Sequence, residues 1–402
     1  YLHLIANFLE EEKAQILVLV PEINLTPQLE SRFRARFPDR NLVVLHSNLS
    51  SIERLDNWRQ AKSGKASIII GTRLAVFTPF KNLKLIIVDE EHDSSFKQQE
   101  GLKYHARDVA MVRARNNNIP IVLGTATPSL ESWLNASKEI SKYQLLRLKD
   151  RAVLNASLPA IKTTPLNSDK DQLISPLILK AIKQRVALKQ QALIFINRRG
   201  YSPVLVCSSC GWSASCHQCS ARLVVHLKDK KMRCHHCSYE SPIAMQCQDC
   251  GNPDLYPLGS GTQKIEDRIR ALIPSASILR VDRDSMRKKN ALNELYEKTS
   301  RGDIDILVGT QMLAKGHDFP KLTLVVVLDA DNALYSTDFR ASERLFSQLM
   351  QVSGRSGRSS IAGEVLIQTS FPNHPIFQAV KTHNYELFAN SILAERASID
   401  LP

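Results

Sequence analysis

Eight cysteines stand in four C-x-x-C pairs, Cys207/Cys210, Cys216/Cys219, Cys234/Cys237 and Cys247/Cys250, all between residues 207 and 250. Two thiolates on one tight turn can take two corners of a tetrahedron around Zn²⁺, so eight sulfurs make two Cys₄ sites. Disulfides call for an oxidising compartment and inert buried thiols for scattered positions, and this clustering matches neither. Five residues separate Cys210 from Cys216, too few for the usual zinc-ribbon loop of about 15–20, whereas fourteen separate Cys219 from Cys234. The expected sets are therefore Cys216/Cys219/Cys234/Cys237 and Cys207/Cys210/Cys247/Cys250. Four thiolates leave no open position for water, which makes these structural sites and argues against a zinc-dependent hydrolase. His217, His235 and His236 are surplus to the ligand count and read as surface or phosphate contacts.

A second chemistry resides in carboxylates. Leu85-Ile86-Ile87-Val88 runs directly into Asp89-Glu90-Glu91-His92, which places acids at the carboxyl end of a strand, where parallel α/β sheets bind ligands. At that position of an ATPase, Asp89 would hold Mg²⁺ and Glu90 would orient and deprotonate the attacking water. An acidic turn after a strand is common in itself, so the neighbouring motifs decide its meaning. Ile121-Val122-Leu123 ends in a second small-residue loop, Gly124-Thr125-Ala126-Thr127-Pro128-Ser129. Further on, Gln348 to Arg358 (QLMQVSGRSGR) sets Arg355 and Arg358 three apart. On a helix they face the same way and can meet the β- and γ-phosphates. Arginines so placed stabilise the charge of phosphoryl transfer by about 10³–10⁵ in rate, against the plainer reading of a solvated basic face.

The elements that must position these groups are legible as short aliphatic runs. Residues 16–20, 42–45, 67–70, 84–88 and 119–123 form one series, and 192–196, 277–281, 304–308, 323–328 and 363–368 a second. Runs apolar on both faces, alternating with helix-compatible stretches, predict two α/β domains with parallel sheets covered on both sides. The cysteine-rich segment interrupts the second series as an insertion. The stretch 150–176, with Pro159, Pro165 and Pro176, reads as an exposed connection. The expected division is a first lobe over 1–149, a linker and the start of the second lobe over 150–206, the zinc insertion over 207–250, the rest of the second lobe over 251–370, and the start of a C-terminal domain over 371–402.

The chain has 402 residues, 43% of them apolar, enough for more than one buried core. Its formal charge of +13 suggests an anionic partner; bound zinc would lower the balance to about +9. With no basic amphipathic anchor, nucleic acid is favoured over membrane. No apolar run approaches the ~18 residues of a membrane span and no signal-peptide pattern is present, so a cytoplasmic protein is expected.

D-E-x-H followed by G-T-A-T-P resembles the paired motifs of superfamily-two helicases. Pro21 to Gln28 (PEINLTPQ) and Gly71-Thr72-Arg73 match the first-lobe strand ends, and Gly309 to Gly316 (GTQMLAKG) the second-lobe ones. The resemblance implies two RecA-like lobes and DNA contacts from Pro21, Thr26, Gln28, Thr72, Arg73, Thr310 and Lys315. It also implies ATP with Mg²⁺ on Asp89, Glu90, His92, Gln348, Arg355 and Arg358. Four C-x-x-C pairs in the second lobe narrow it further: with Ile194 to Tyr201, Gly259 to Thr262 and Asp329 to Phe339, the whole chain resembles the PriA family of bacterial replication-restart helicases. That family implies ATP-driven 3′→5′ unwinding at stalled or collapsed forks, with primosome proteins and single-stranded-DNA-binding protein as partners. The segment 93–105 (DSSFKQQEGLKYH) resembles the family's aromatic-rich loop. Phe96, Tyr104 and His105 would then stack on bases, at about 1–3 kcal/mol per base, with Lys97 and Lys103 on phosphates.

A phosphate loop of the form G-x-x-x-x-G-K-[ST] is needed for ATP turnover. Gly64-Lys65 is the sole Gly-Lys pair, with Arg59 at the first glycine position and Ala66 after it, so this polypeptide by itself is expected to be inactive. The apolar stripe Leu2, Leu4, Ile5, Phe8, Leu9 has no N-cap residue before it, which suggests a chain that begins inside a helix and is a piece of a longer protein. The competing function is a non-catalytic zinc-dependent nucleic-acid-binding or primosome-scaffolding module. Retention of Glu90, Arg355 and Arg358, which a scaffold does not require, favours the enzyme.

Overall fold

The architecture is that of a computed structural model. It describes the chain except for residues 22–26, 138–140, 142, 149–156, 167–172, 198–203, 208, 220–221, 227–228, 235–236, 259–261, 282–290, 311–312, 314–318, 320, 337, 358–360 and 402, and the side chains of 27–28, 256–258, 291–293 and 296. Two compact units, Tyr1–Leu146 and Arg147–Pro402, are resolved by internal packing.

In the first unit, β1 (Gln15–Leu19), β2 (Leu42–Leu45), β3 (Ile68–Gly71), β4 (Leu83–Asp89) and β5 (Ile121–Gly124) form an all-parallel sheet in the order β2-β3-β1-β4-β5. Successive side chains of a strand point to opposite faces, and here both faces are apolar. Leu17, Leu19, Ile86 and Val88 enter one cluster with Ala106 and Ala110. Ile16, Val18, Leu85 and Ile87 enter another with Ile5, Leu9, Phe33 and Phe37. This explains the unbroken aliphatic runs, because no strand face meets water.

The second unit opens with β6 (Ala160–Pro165) and β7 (Gln191–Ile196). It then carries β8 (Val204–Cys207), β9 (Val224–His226), β10 (Lys231–Arg233), β11 (Glu240–Pro242) and β12 (Leu255–Leu258), and finishes with β13 (Ile278–Val281), β14 (Ile306–Gly309), β15 (Leu322–Leu328) and β16 (Glu364–Thr369). The order β13-β14-β7-β15-β16-β6 makes a six-stranded parallel sheet, and β8 to β12 make a separate antiparallel sheet in the order β11-β10-β9-β8-β12. The insertion is thus wider than its cysteines: strands at 204 and 258 close its base through the Val204–Leu258 pairing.

β6 corrects the reading of 150–176 as an exposed connection. Ala160 to Pro165 pairs along its length with β16 as the edge strand. Its alternating exposure, with Ile161 buried between exposed neighbours, is why no aliphatic run betrayed it. Pro165 sits at the end of that edge strand, where no ladder bond is lost. Residues Pro375–Lys381 and Tyr385–Ser398 form helices whose Ile376, Phe377, Val380 and Phe388 share the cluster built on β7 and β15.

The two units repeat one device. Gln15 opens β1, and its Nε2 donates to the carbonyls of Ala61 (2.8 Å) and Ala66 (2.9 Å) while its Oε1 accepts from the amides of Lys81 and Asn82. Gln191 opens β7 and donates to the carbonyls of Thr299 (2.8 Å) and Ile304 (2.9 Å). A buried amide so placed satisfies backbone groups at the floor of each sheet, leaving the opposite, carboxyl ends for chemistry.

Candidate nucleotide and metal sites

β4 delivers Asp89 and Glu90 at its carboxyl end, and Glu90 adopts a left-handed conformation with φ of 50°. Such backbone in a residue other than glycine is costly and concentrates at functional sites. The Tyr1 hydroxyl donates to Asp89 Oδ1 at 2.9 Å. Burial pushes the Asp89 carboxyl above its ordinary pKa, with the Tyr1 hydrogen bond pulling the other way. Register pairing sets Asp89 beside Gly124 at the end of β5.

Two further residues tie the acidic turn to the Gly124–Ser129 loop. His92 Nδ1 lies 2.7 Å from Thr125 Oγ1 and 3.6 Å from Glu90 Oε2. Glu91 is fully buried: its Oε1 accepts from the Ser129 amide at 2.6 Å, and its Oε2 accepts from Arg107 Nη1 at 2.9 Å and Ser132 Oγ at 3.1 Å. Glu91 and Arg107 were not singled out from the sequence; the signal was available only as a second acid inside D-E-E-H. The pair joins β4, the loop after β5 and the helix Ala106–Asn116.

Gly64-Lys65 serves another purpose. Gly64 caps the helix Ser51–Ser63 in a left-handed conformation, φ 80°, with its amide donating to the Ala61 carbonyl, so the pair terminates a helix.

In the second unit the helix Ala341–Ser353 carries Gln348, which is buried at 9% exposure. The expectation that Arg355 and Arg358 share a helix face is corrected. The helix ends at Ser353, Arg355 lies in the turn that follows, its amide bonding the Val352 carbonyl at 3.0 Å, and Gly357 has φ of 70°. A Cβ at Gly357 would lie 2.8 Å from the Gly363 amide nitrogen, so the glycine lets the turn fold back against the segment leading to β16. Arg358 lies outside the described residues.

The cysteines gather into the two sets expected from loop reach. In each, the four sulfurs lie within 4.8 Å of one another. Cys207–Cys250 and Cys210–Cys247 approach to 3.6 and 3.5 Å, and Cys216–Cys237 and Cys219–Cys234 both to 3.5 Å. Zinc–sulfur bonds of about 2.3 Å on a tetrahedron separate sulfurs by about 3.8 Å, so the donor sets fit Zn²⁺. None of the eight cysteines is in a disulfide. Amides of Cys210 and Ser209 aimed at the Cys207 sulfur lower its pKa to about 6, whereas the neighbouring Cys210 and Cys250 thiols of the same set are raised, so Cys207 is the thiolate that forms first. Gly211, Gly251 and Ser238 each follow a knuckle with positive φ, their amides donating to the carbonyls of Cys207, Cys247 and Cys234. His217 packs edge-on against Tyr239, 6.0 Å between ring centroids. His235 and His236 lie outside the described residues. The inner cluster shares a core with Leu205, Leu223, Val225 and Met232. Arg222 anchors the insertion to the adjoining sheet domain, its Nε donating to the Tyr335 carbonyl at 3.2 Å and its guanidinium 5.3 Å from that ring.

The residues expected to touch DNA fare unevenly. Phe96 is a correction: it is fully buried in the core of the first unit, so it cannot stack on a base there. Tyr104 packs on the same core and meets Phe77 edge-on at 5.0 Å. Lys97 and His105 bridge as an antiparallel pair, with His105 half-buried, and this leaves 99–103 as the tip, where Leu102 is 83% exposed. Lys97 and Lys103 are exposed. Arg73 Nη1 donates to the carbonyls of Ser95 (2.9 Å) and Lys97 (3.2 Å), bracing that loop, and Thr72 is buried. Pro21 is buried after β1, and Thr310 is half-buried after β14. Thr26, Lys315 and the Gln28 side chain lie outside the described residues.

Two RecA-like parallel sheets, the first closing in an acidic turn bonded to a G-T-A-T-P loop, give the fold of superfamily-two helicases. The fold is shared with solved Mss116p bound to ssRNA and AMP-PNP, at 13% identity, a TM-score of 0.55, and coverage of 95% of this chain and 65% of that one. The DEAD/DEAH box helicase model matches residues 1–135, the helicase conserved C-terminal domain 261–360, and the PriA DNA helicase Cys-rich region domain 216–242. Replication restart protein PriA of Haemophilus influenzae is 45% identical over all of this chain and 54% of its own length; that of Bacillus subtilis is 40% identical over all of this chain and 50% of its own. The chain belongs to the PriA family, and it spans about half the length of these curated relatives. Among the described residues no helix is long and apolar enough to cross a membrane.

Proposed function

We propose that this chain is the motor region of a cytoplasmic ATP-driven 3′→5′ DNA helicase that restarts replication at stalled or collapsed forks. The observation that carries the reading is the bonding of the acidic turn to the Gly124–Ser129 loop through His92–Thr125 and Glu91–Ser129, because a coupled pair of motifs is what a nucleotide-driven motor requires and a scaffold does not. Asp89 would hold Mg²⁺, which supplies charge neutralisation at the phosphates. Among the described residues the only groups of three or more His, Cys, Asp or Glu close enough for a metal are the two cysteine sets. A lone carboxylate suits Mg²⁺, which keeps several waters and takes phosphate oxygens.

Glu90 takes the proton of the attacking water, and His92 links that event to Thr125. Gln348, Arg355 and Arg358 meet the phosphates. Pro21, Thr26, Gln28, Thr72 and Thr310 support the strand ends that follow the DNA backbone, Arg73 acts by bracing the 93–105 loop, and Lys97, Lys103 and Lys315 meet phosphate directly. Leu102 is the apolar contact to bases that Phe96 cannot be. Two zinc ions hold the insertion, which serves fork handling and the docking of primosome proteins and single-stranded-DNA-binding protein.

The test is Glu90→Gln in the full-length protein. DNA-stimulated ATP hydrolysis should fall by about 10²-fold or more, in the range of removing a general base, with DNA affinity retained. Unchanged turnover would sink the assignment. The 402-residue chain alone, which contains no G-x-x-x-x-G-K-[ST], should show no turnover under the same conditions.

A further inference from the structure

Tyr1 and Gly124 meet at Asp89 in a way the motif pattern does not announce. The Tyr1 hydroxyl donates to Asp89 Oδ1 at 2.9 Å. Gly124, the register partner of Asp89 on the neighbouring strand, is where that phenol rests: a Cβ there would overlap the hydroxyl oxygen and lie 2.6 Å from Tyr1 Cζ. Gly124 does not carry a positive φ, so no left-handed backbone calls for glycine at this position. The space beside Asp89 is what calls for it.

We propose that Tyr1 is a positioning residue for Asp89, fixing its carboxylate for the divalent cation, and that the glycine of the G-T-A-T-P loop is there to admit the Tyr1 phenol. The proposal rests on the reading of Asp89 as the Mg²⁺-binding acid. A carboxylate at a strand end can rotate about its terminal bonds, and a phenolic O–H seated in a glycine notch selects one orientation before the cation arrives. A hydrogen bond to a charged acceptor is among the stronger ones a side chain can make. The phenol also tethers the helix Leu2–Phe8 to the ends of β4 and β5, so the metal-binding carboxylate and this helix are held as one body.

The experiment uses the full-length protein, with Mn²⁺ in place of Mg²⁺ and ADP present. The Mn²⁺ dissociation constant is read by electron paramagnetic resonance, so no turnover is needed. Tyr1→Phe should weaken Mn²⁺ binding by about threefold to tenfold while metal-free ADP affinity stays as in the unaltered protein, a split that general loosening of the fold would not produce. Gly124→Ala, with Tyr1 intact, should weaken Mn²⁺ to a similar degree, and the double variant should be no weaker than Gly124→Ala alone, because both changes remove one interaction. Wild-type Mn²⁺ affinity in Tyr1→Phe, or full additivity of the two changes, overturns the proposal. Asp89→Asn separates the two levels. If it abolishes Mn²⁺ binding while Tyr1→Phe does not weaken it, only the role of Tyr1 falls; if it too binds Mn²⁺ normally, the reading of Asp89 falls with it.

Discussion

Glu91 and Arg107 form an ion pair 2.9 Å long with side chains only 1% and 9% exposed. Around it converge the end of β4, the loop after β5 and the first turn of the helix Ala106–Asn116. Burial opposes the Arg107 charge, but the adjacent Glu91 carboxylate outweighs it and raises the guanidinium pKa above its ordinary value. Removing one partner strands the other charge in the interior. Arg107→Ala or Glu91→Ala should therefore cost about 3–5 kcal/mol of stability, measured by urea unfolding monitored on the first unit. A loss under 1 kcal/mol would show that the pair carries little of the packing between these elements.

Each cysteine set should bind one zinc ion. Metal analysis of the purified chain should find two per polypeptide, and Cys234→Ser, at a fully buried inner ligand, should leave one. Chelation should strip hydrogen-exchange protection from β8 to β12 and spare β7 and β15, whose ladders belong to a different sheet. Equal loss of protection in both sheets would contradict the separation.

Ser238 stands with φ of 64° after Cys237, in the turn where Gly211 and Gly251 serve their own knuckles. A side chain in the left-handed region costs about 1 kcal/mol. Ser238→Gly should recover most of it, seen as slower zinc release to a chelator from the inner set. Faster release would mean that the serine side chain contributes more than its backbone costs.

Gly71 and Gly309 end β3 and β14, one in each parallel sheet. A Cβ at Gly309 would overlap the Val281 carbonyl and lie 2.7 Å from Leu313 Cδ1; at Gly71 it would overlap Ala75 Cβ and lie 2.9 Å from the Leu45 carbonyl oxygen. Alanine at either should destabilise by about 1–3 kcal/mol. The Gly309 change should cost more, because its nearest obstacle is backbone. Thermal melts of the two variants decide the order.

Ten strands of the two parallel sheets, β1 to β5, β7 and β13 to β16, and the cysteine sets were legible in the residues themselves, whereas the antiparallel strands β8 to β12 were not. Aliphatic runs such as Ile68-Ile69-Ile70 and Val325-Val326-Val327 admit only doubly covered sheets, and C-x-x-C spacing limits which sulfurs can meet. What the chain order concealed depends on neighbours distant in sequence. Phe96 reads as a stacking aromatic and is a core residue, because Arg73, over twenty residues earlier, holds its loop down by two backbone carbonyls. Ala160 to Pro165 lacks an aliphatic run because an edge strand needs only one apolar face, and only pairing with β16 made it a strand. The helix through Gln348 stops at Ser353, and beyond it Gly357 packs against Gly363, a contact the local pattern does not show. Local pattern sets which segments can bury surface, whereas the choice of partner, and with it the direction in which Asp89, Glu91 or Tyr1 points, is settled by contacts that exist only once the sheet of the first unit has formed.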